Sequence, residues 1–399
     1  MGLLISFHCC ILEQNFTFGF ENLQYSYDNQ ISALIEYNNP IMHNSITLSE
    51  NTRLLLNGKR TFSAVKNALK RAESFINLEY FSFHDDDTGR TIARILSQKA
   101  SHGVKVRMLT DAAGSWRLSR KFIRSLKESG IEFRRFTPFT FHRDHRKIIT
   151  VDGVTGFLGG FNIGDVYLRQ WRDTHIMING EAVNILDGIF AGMWEKSGGH
   201  CAYCQPKTEH ISSENGVPLR IIAGGTGKDF RAVADEYIRV ISSSSKRVWI
   251  TTPYFAPDRK FLDALYNASA RGVDVRIIIP SWSNHVIVSW ASQSYIDGLI
   301  ANGVRVFTYE GGFIHAKTMI ADSHVASVGT ANLDALSFGI NYEVQAFVYS
   351  TRLVRELEGV FNEDLRQCTE ETKSSREKRK RPAMMRLKEL AGRLLSPIL

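Results

Sequence analysis

The chain has 399 residues, 43% of them hydrophobic and 23% charged, with a formal net charge of +8. That is an ordinary globular composition, long enough for two domains with full cores. It excludes a membrane-spanning segment, since no apolar run approaches ~20 residues, and the odd count of five cysteines argues for a reducing compartment over a disulfide framework.

The start, "MGLLISFHCCIL", is apolar but short and lacks the basic residues that open a secretory signal. Gly2 and Ser6 fit a myristoylation pattern, with Cys9 and Cys10 as neighbouring acylation sites. An ordinary apolar start is the preferred reading, and residues 1–50 form an unassigned N-terminal extension. From there the chain repeats itself. "RTIARILSQKASHGVKVRML" (90–109) matches "RKFLDALYNASARGVDVRII" (259–278). In both, a helical apolar spacing meets a stop glycine, Gly103 or Gly272, and then a β-branched strand. "LKESGIEFRRF" and "LIANGVRVFTY" repeat helix, glycine and strand, and "SFINLEYFSF" and "KRVWITTPYF" are strands that end in aromatics. The fold expected is α/β, two tandem α-β-α sandwich repeats with mainly parallel sheets covered on both faces. The repeats span 51–210 and 211–368 and pack about a pseudo-twofold axis with one active site at their interface.

The first half closes with "FHRDHRKIITVDGVTGFLGGFNIGDVYLRQWRDTH" (141–175), and the second with "FIHAKTMIADSHVASVGTANLDALSFGINYEV" (313–344). His145, Lys147, Asp152, Gly159, Asn162 and Asp173 match His315, Lys317, Asp322, Gly329, Asn332 and Glu343 at a constant offset of 170 residues. Alternation along a strand points His145 and Lys147 the same way, and likewise His315 and Lys317. A site built from both halves holds two imidazoles, two ammonium groups and two asparagine amides, and the glycines permit close backbone approach. That set suits a phosphodiester. One neutral imidazole attacks phosphorus, the other serves the leaving and incoming alcohols as acid and base, and lysines and asparagines hold the non-bridging oxygens. Asp152 precedes Gly153 in a hairpin signal, so its favoured role, and that of Asp322, is a turn. Asp173 and Glu343, each eleven residues after an asparagine, are expected to orient the histidines. A lysine two residues from each histidine repels a cation, so no metal and no other cofactor is expected.

Other candidates carry less. "HCAYC" (200–204), with His210, offers half of a zinc site and reads as a connector. "AGGTGKDF" (223–230) lacks the first glycine and the hydroxyl residue of a phosphate loop and reads as a turn before a helix. His142 reads as a strand-end residue. Tyr80, Phe81, Trp171, Tyr254, Phe255 and Trp282 lie near motif ends and serve either the core or an acyl-chain channel.

H-x-K-x4-D twice, each followed by G-[GT]-x-N, resembles the phospholipase D superfamily from about Leu54 to Cys368. Within it, "HRKIITVDGVTGFLGGFNIGDVYLRQWRDTH" and "ITTPYFAPD" are most similar to bacterial cardiolipin synthases, and the basic tail to their short form without N-terminal transmembrane helices. The resemblance implies a metal-free phosphatidyl transfer between two phosphatidylglycerol molecules, giving cardiolipin and glycerol through a phosphohistidine. Phospholipase D-type hydrolysis of a phospholipid, or less favourably of a nucleic acid, is the alternative. The resemblance also implies His145 as nucleophile and His315 as acid and base, with Lys147, Lys317 and the motif aspartates Asp152 and Asp322 among the catalytic residues. Asn162, Asn332, Gly160 and Thr330 are then expected on the substrate phosphate.

Residues 369–399 form a basic tail. From Lys373 onward nine basic residues face two acidic ones, a net +7 that accounts for most of the chain's excess charge. Met384, Leu387, Leu390, Ala391, Leu394 and Leu395 follow helical spacing with Arg386, Lys388 and Arg393 off that face. A basic amphipathic helix suits an anionic membrane surface, and the leucine stripe would be idle on nucleic acid, so no nucleic-acid partner is expected. The expected location is peripheral, on the cytoplasmic side of the inner membrane.

Overall fold

The structure is a computed structural model that describes residues 46–138, 142–200, 216–225, 230–283, 285–378 and 383–396, without the side chains of 383–386. The N-terminal acylation pattern, the C-x-x-C segment with His210 and most of the "GTGKD" turn lie outside the described residues.

Each half is built on one sheet with the same strand order. In the first half the strands run Asn51–Leu55, His175–Asn179, Thr155–Gly159, Lys147–Val151, Phe75–Tyr80, Lys105–Asp111 and Glu132–Phe136. The second repeats that order as Val217–Gly224, Glu343–Tyr349, Val325–Gly329, Thr318–Ala321, Arg247–Thr251, Asp274–Pro280 and Arg305–Tyr309. Two further strands extend it, Thr47–Ser49 beside Val217–Gly224 and Cys368–Glu371 beside Arg305–Tyr309. The second sheet thus takes strands from beyond both boundaries, 51 and 368, drawn from sequence.

The sheets are mixed, not mainly parallel. In the first, only the strands at Phe75, Lys105 and Glu132 pair parallel, and the other pairings are antiparallel. Helical crossovers allow the former; a tight turn such as Asp152-Gly153 permits only the latter. The expected stop glycines are there: Gly103 and Gly272 both sit at φ +87°, where a side chain would be strained. Helix starts are capped by Asn57, Asp86, Asp258 and Ser350, whose side chains accept backbone N–H groups three residues on.

Burial falls into layers. The outer face of each sheet packs on its own helices, around Leu69, Leu96 and Met108 in one half and Ile241, Leu265 and Ile296 in the other. Between the halves lies a shared core, where Ile148, Ile176 and Leu186 meet Ile221, Ile320 and Leu357. The helices Val183–Lys196 and Thr351–Leu365 contribute to it from either side. A common apolar layer of this kind holds two halves at one fixed geometry, and the histidine segments lie along that junction.

Candidate active site

His145 and His315 sit just ahead of the strands Lys147–Val151 and Thr318–Ala321, in extended backbone that joins the opposite half. The His145 N–H donates to the Tyr342 carbonyl at 3.0 Å, and the His315 N–H to the Arg172 carbonyl at 2.7 Å. Phe313–Ile314 pairs in parallel with Trp171–Arg172, and Asp144 bridges to Tyr342 in the same sense. The acids that follow, Asp173 and Glu343, are therefore delivered across the junction. His145 Nδ1 lies 2.9 and 3.1 Å from the two Glu343 carboxylate oxygens. His315 Nδ1 lies 2.7 Å from Asp173 Oδ2. Each imidazole of one half is held by a carboxylate of the other.

A carboxylate only accepts, so both Nδ1 atoms carry the proton and both Nε2 atoms keep a lone pair. The two Nε2 atoms differ in partner. Lys317 Nζ lies 2.9 Å from His315 Nε2 and also donates to the His315 carbonyl at 2.5 Å. Lys147 Nζ donates to the His145 carbonyl, and His145 Nε2 has no protein partner among the described residues. The His145 side chain is 12% exposed against 5% for His315, which makes it the more open of the two.

Burial dominates the electrostatics. It pushes His145 down to about 4, against the pull of Glu343 and with Lys147 and Lys317 adding to the shift. Burial also holds His315 well below its ordinary value, reinforced by Lys317, Lys147 and His145. Both imidazoles are therefore neutral at pH 7. Lys147 is lowered to about 8 and Lys317 to about 7, each by burial and against nearby carboxylates led by Glu343 and Asp173 respectively. Charged groups of both halves act on each imidazole.

The supporting residues explain the small amino acids in the motifs. A Cβ on Gly160 would fall 2.2 Å from Asp173 Oδ1. The equivalent Thr330 instead donates its hydroxyl to Glu343 Oε2 at 2.5 Å, and Ser337 donates to Oε1 at 2.8 Å. The N–H groups of Gly160 and Thr330 are bound to the carbonyls of Thr174 and Val344. This corrects the expectation that Gly160 and Thr330 hold phosphate: their N–H groups are committed, and they shape the carboxylates instead. Asn162 and Asn332 are buried. The Asn162 side-chain Oδ1 accepts from the Ser82 N–H at 3.1 Å, while Asn332 Oδ1 is buried without a partner among the described residues.

Asp152 and Asp322 are also corrected. They lie at the far end of their strands, about 16 Å from the lysines at ~3.3 Å per residue. Asp152 accepts from the N–H groups of Glu73, Ser74 and Phe75 at 2.8–2.9 Å. Asp322 accepts from those of Ser245, Lys246 and Arg247 at 2.7–3.2 Å. Both have positive φ, 55° and 51°. They tie hairpin to neighbouring strand, as the turn reading requires.

Aromatic rings wall the imidazoles. Phe81 stands edge-on to His145 at 5.0 Å between centroids, and Trp171 packs on His315 at 4.8 Å. Tyr254 lies 6.4 Å from His315. Tyr80 and Phe255 are core. His142 packs on Phe230, away from a ligand role.

Two residues escaped the sequence reading. Arg146, 1% exposed, donates to the carbonyls of Glu343 and Gly224 at 3.4 and 3.0 Å and pairs with buried Glu79 at 3.6 Å. It ties the first histidine segment to the strand that carries Glu343. His175, fully buried, accepts the Phe161 N–H at Nδ1, and its Nε2 has no partner among the described residues. The offset of 170 pairs it with Gln345, whose amide donates to the Lys317 carbonyl at 3.4 Å. That shared polarity was the available signal. Among the described residues no group of three or more His, Cys, Asp or Glu side chains could hold a metal.

A model of the family described as "Cardiolipin synthase, PLD-like domain" matches residues 65–194 and 237–365, one match in each half. The chain belongs to the cardiolipin synthase family. It is 40% identical over 384 residues to the cardiolipin synthase of Geobacillus sp. (strain WCH70), covering 92% of this chain and 76% of that protein. It is 37% identical over 380 residues to the major cardiolipin synthase ClsA of Bacillus subtilis (strain 168), covering 90% and 78%. Among solved structures, the phosphatidylserine synthase of Haemophilus influenzae Rd KW20 superposes with a TM-score of 0.70 at 14% identity, covering 92% of this chain and all of that one. At that identity the likeness is one of fold, and it spans both halves of this cardiolipin synthase family member.

Proposed function

We propose that the chain makes cardiolipin by phosphatidyl transfer between two phosphatidylglycerol molecules, with His145 as nucleophile. The observation that carries this choice is the Lys317 ammonium, 2.9 Å from His315 Nε2, which occupies that lone pair while the His145 lone pair stays open. Glu343 holds His145 in the tautomer whose Nε2 can attack phosphorus. The bond to the first glycerol breaks, and the His315–Lys317 pair supplies its proton. A hydroxyl of the second phosphatidylglycerol then gives its proton back to His315 and attacks the phosphohistidine, which restores His145 and releases cardiolipin. Lys147, Lys317 and the amides of Asn162 and Asn332 carry the non-bridging oxygens, where charge grows in the transition state. Aromatic and apolar walls exclude water, which would divert the intermediate to phosphatidate.

The basic residues of the tail support a peripheral position on an anionic membrane, on the cytoplasmic side of the inner membrane, at ~1 kcal/mol per basic residue near the surface. No helix among the described residues is long and apolar enough to cross a bilayer.

Incubation with labelled phosphatidylglycerol should yield cardiolipin and free glycerol in equal amounts. His145→Ala and His315→Ala should each lower turnover by roughly 10³-fold or more. With substrate, a phosphohistidine should accumulate in His315→Ala and be absent from His145→Ala; the reverse pattern would exchange the two roles.

A further inference from the structure

The C-terminal helix Ala383–Leu395 lies along the helix Val286–Ala301 with its small and polar side inward. Glu389 and Ser396 are buried, as is Gly392, where a Cβ would come within 2.5 Å of the Ala291 nitrogen. Ser396 Oγ lies 3.0 Å from the Tyr295 hydroxyl. The Arg393 guanidinium sits 4.0 Å from the Tyr295 ring centroid and the Lys388 ammonium 5.3 Å from that of Trp290. A surface helix ordinarily buries its apolar stripe. Here the stripe faces outward, with Leu387, Leu390 and Leu394 59%, 55% and 73% exposed.

The helix that supports it also carries exposed apolar side chains. Val286 and Ile287, at the start of the supporting helix, are 58% and 42% exposed, and so is half of Trp282. The Trp282 ring packs on Phe313 at 5.0 Å, and Phe313 on His315 at 5.8 Å. Single exposed leucines signify little, but six large exposed apolar side chains on two packed helices and the loop before them mark an interaction surface. Its charge decides the occupant. The segment that carries the leucines has a net +7, so a second copy would set like charge against like, whereas an anionic bilayer is complementary.

We propose that Trp282, Val286, Ile287, Leu387, Leu390 and Leu394 form one docking face for an anionic phospholipid bilayer, held rigidly so that a lipid headgroup meets the His315 side of the site. The inference rests on the phospholipid substrate argued above and goes beyond a basic tail acting as a tether. A tether would work through the tail alone; a platform needs the body residues too.

Flotation of the full chain with phosphatidylglycerol vesicles tests it, comparing wild type with Ile287→Glu and with Leu390→Glu/Leu394→Glu. Both variants should lose roughly tenfold or more in vesicle binding and in turnover on vesicles. Both should keep wild-type turnover on short-chain phosphatidylglycerol dispersed below its micelle threshold. Wild-type binding by Ile287→Glu would overturn the platform in favour of a tether. A wild-type dimer that becomes monomeric in Leu390→Glu/Leu394→Glu would overturn it in favour of a second copy. Absence of cardiolipin from dispersed lipid with the wild type would instead count against the catalytic reading, which keeps the two failures apart.

Discussion

At the scale of single residues, the site combines imidazoles that must be neutral with ammonium groups that must be charged, in one buried space. Burial pulls all four groups down, so the pH window is set by opposite requirements. In the proposed mechanism His145 attacks as the free base, so activity should be lost as pH falls through about 4. The same mechanism has the lysines hold phosphate as cations, so activity should be lost as pH rises through about 7 for Lys317 and about 8 for Lys147. The profile of kcat/KM, which reports the free enzyme, should therefore be a bell between those limits. A bound phosphodiester adds negative charge beside both lysines and raises them, so the alkaline limb of kcat should lie at higher pH than that of kcat/KM. Coincident alkaline limbs would show that the lysines are not what titrates. His145, Lys147, His315 and Lys317 were legible because two copies at one offset cannot be coincidence. His175 was not, because a histidine opposite a glutamine breaks identity while preserving polarity.

At the scale of elements, the repeated motif divides into two jobs at opposite ends of a strand. The histidine and lysine end faces the junction, and the aspartate end locks a hairpin to its neighbour. Asp152 gathers three backbone N–H groups at φ 55°. Asp152→Ala should cost about 2–4 kcal/mol of stability, from lost charge-assisted hydrogen bonds and a left-handed backbone without a suitable side chain. Asp152→Asn, which tolerates that backbone and still accepts, should lose less, and both variants should keep kcat within a few fold at a temperature where they are folded. Thermal melts beside turnover measurements check this, and a large fall in kcat at full folding would return Asp152 to the chemistry. The turn was readable from "VDGV"; the three N–H groups it binds were not, since they lie 77 to 79 residues earlier, where another strand begins. The same limit hid the strand Thr47–Ser49, which pairs antiparallel with Val217–Leu219 in the second sheet.

At the scale of the whole molecule, duplication does more than supply a second histidine. Sequence placed Asp173 and Glu343 as orienting acids, but their exchange between halves depends on how the two sheets meet, which no local pattern encodes. Because His145 relies on Glu343 and His315 on Asp173, neither half holds both a histidine and the carboxylate that fixes it. Thermodynamic cycles make this exchange measurable. Glu343→Gln should lower turnover by about 10²–10⁴-fold, as loss of an orienting carboxylate does elsewhere. In a His145→Ala background the same change should cost almost nothing, since the group it orients is gone. Asp173→Asn should behave in the same way toward His315→Ala. If Glu343→Gln instead added its full loss to His145→Ala and none to His315→Ala, each acid would serve its own half, and the junction would be a packing surface with no part in positioning the reacting groups.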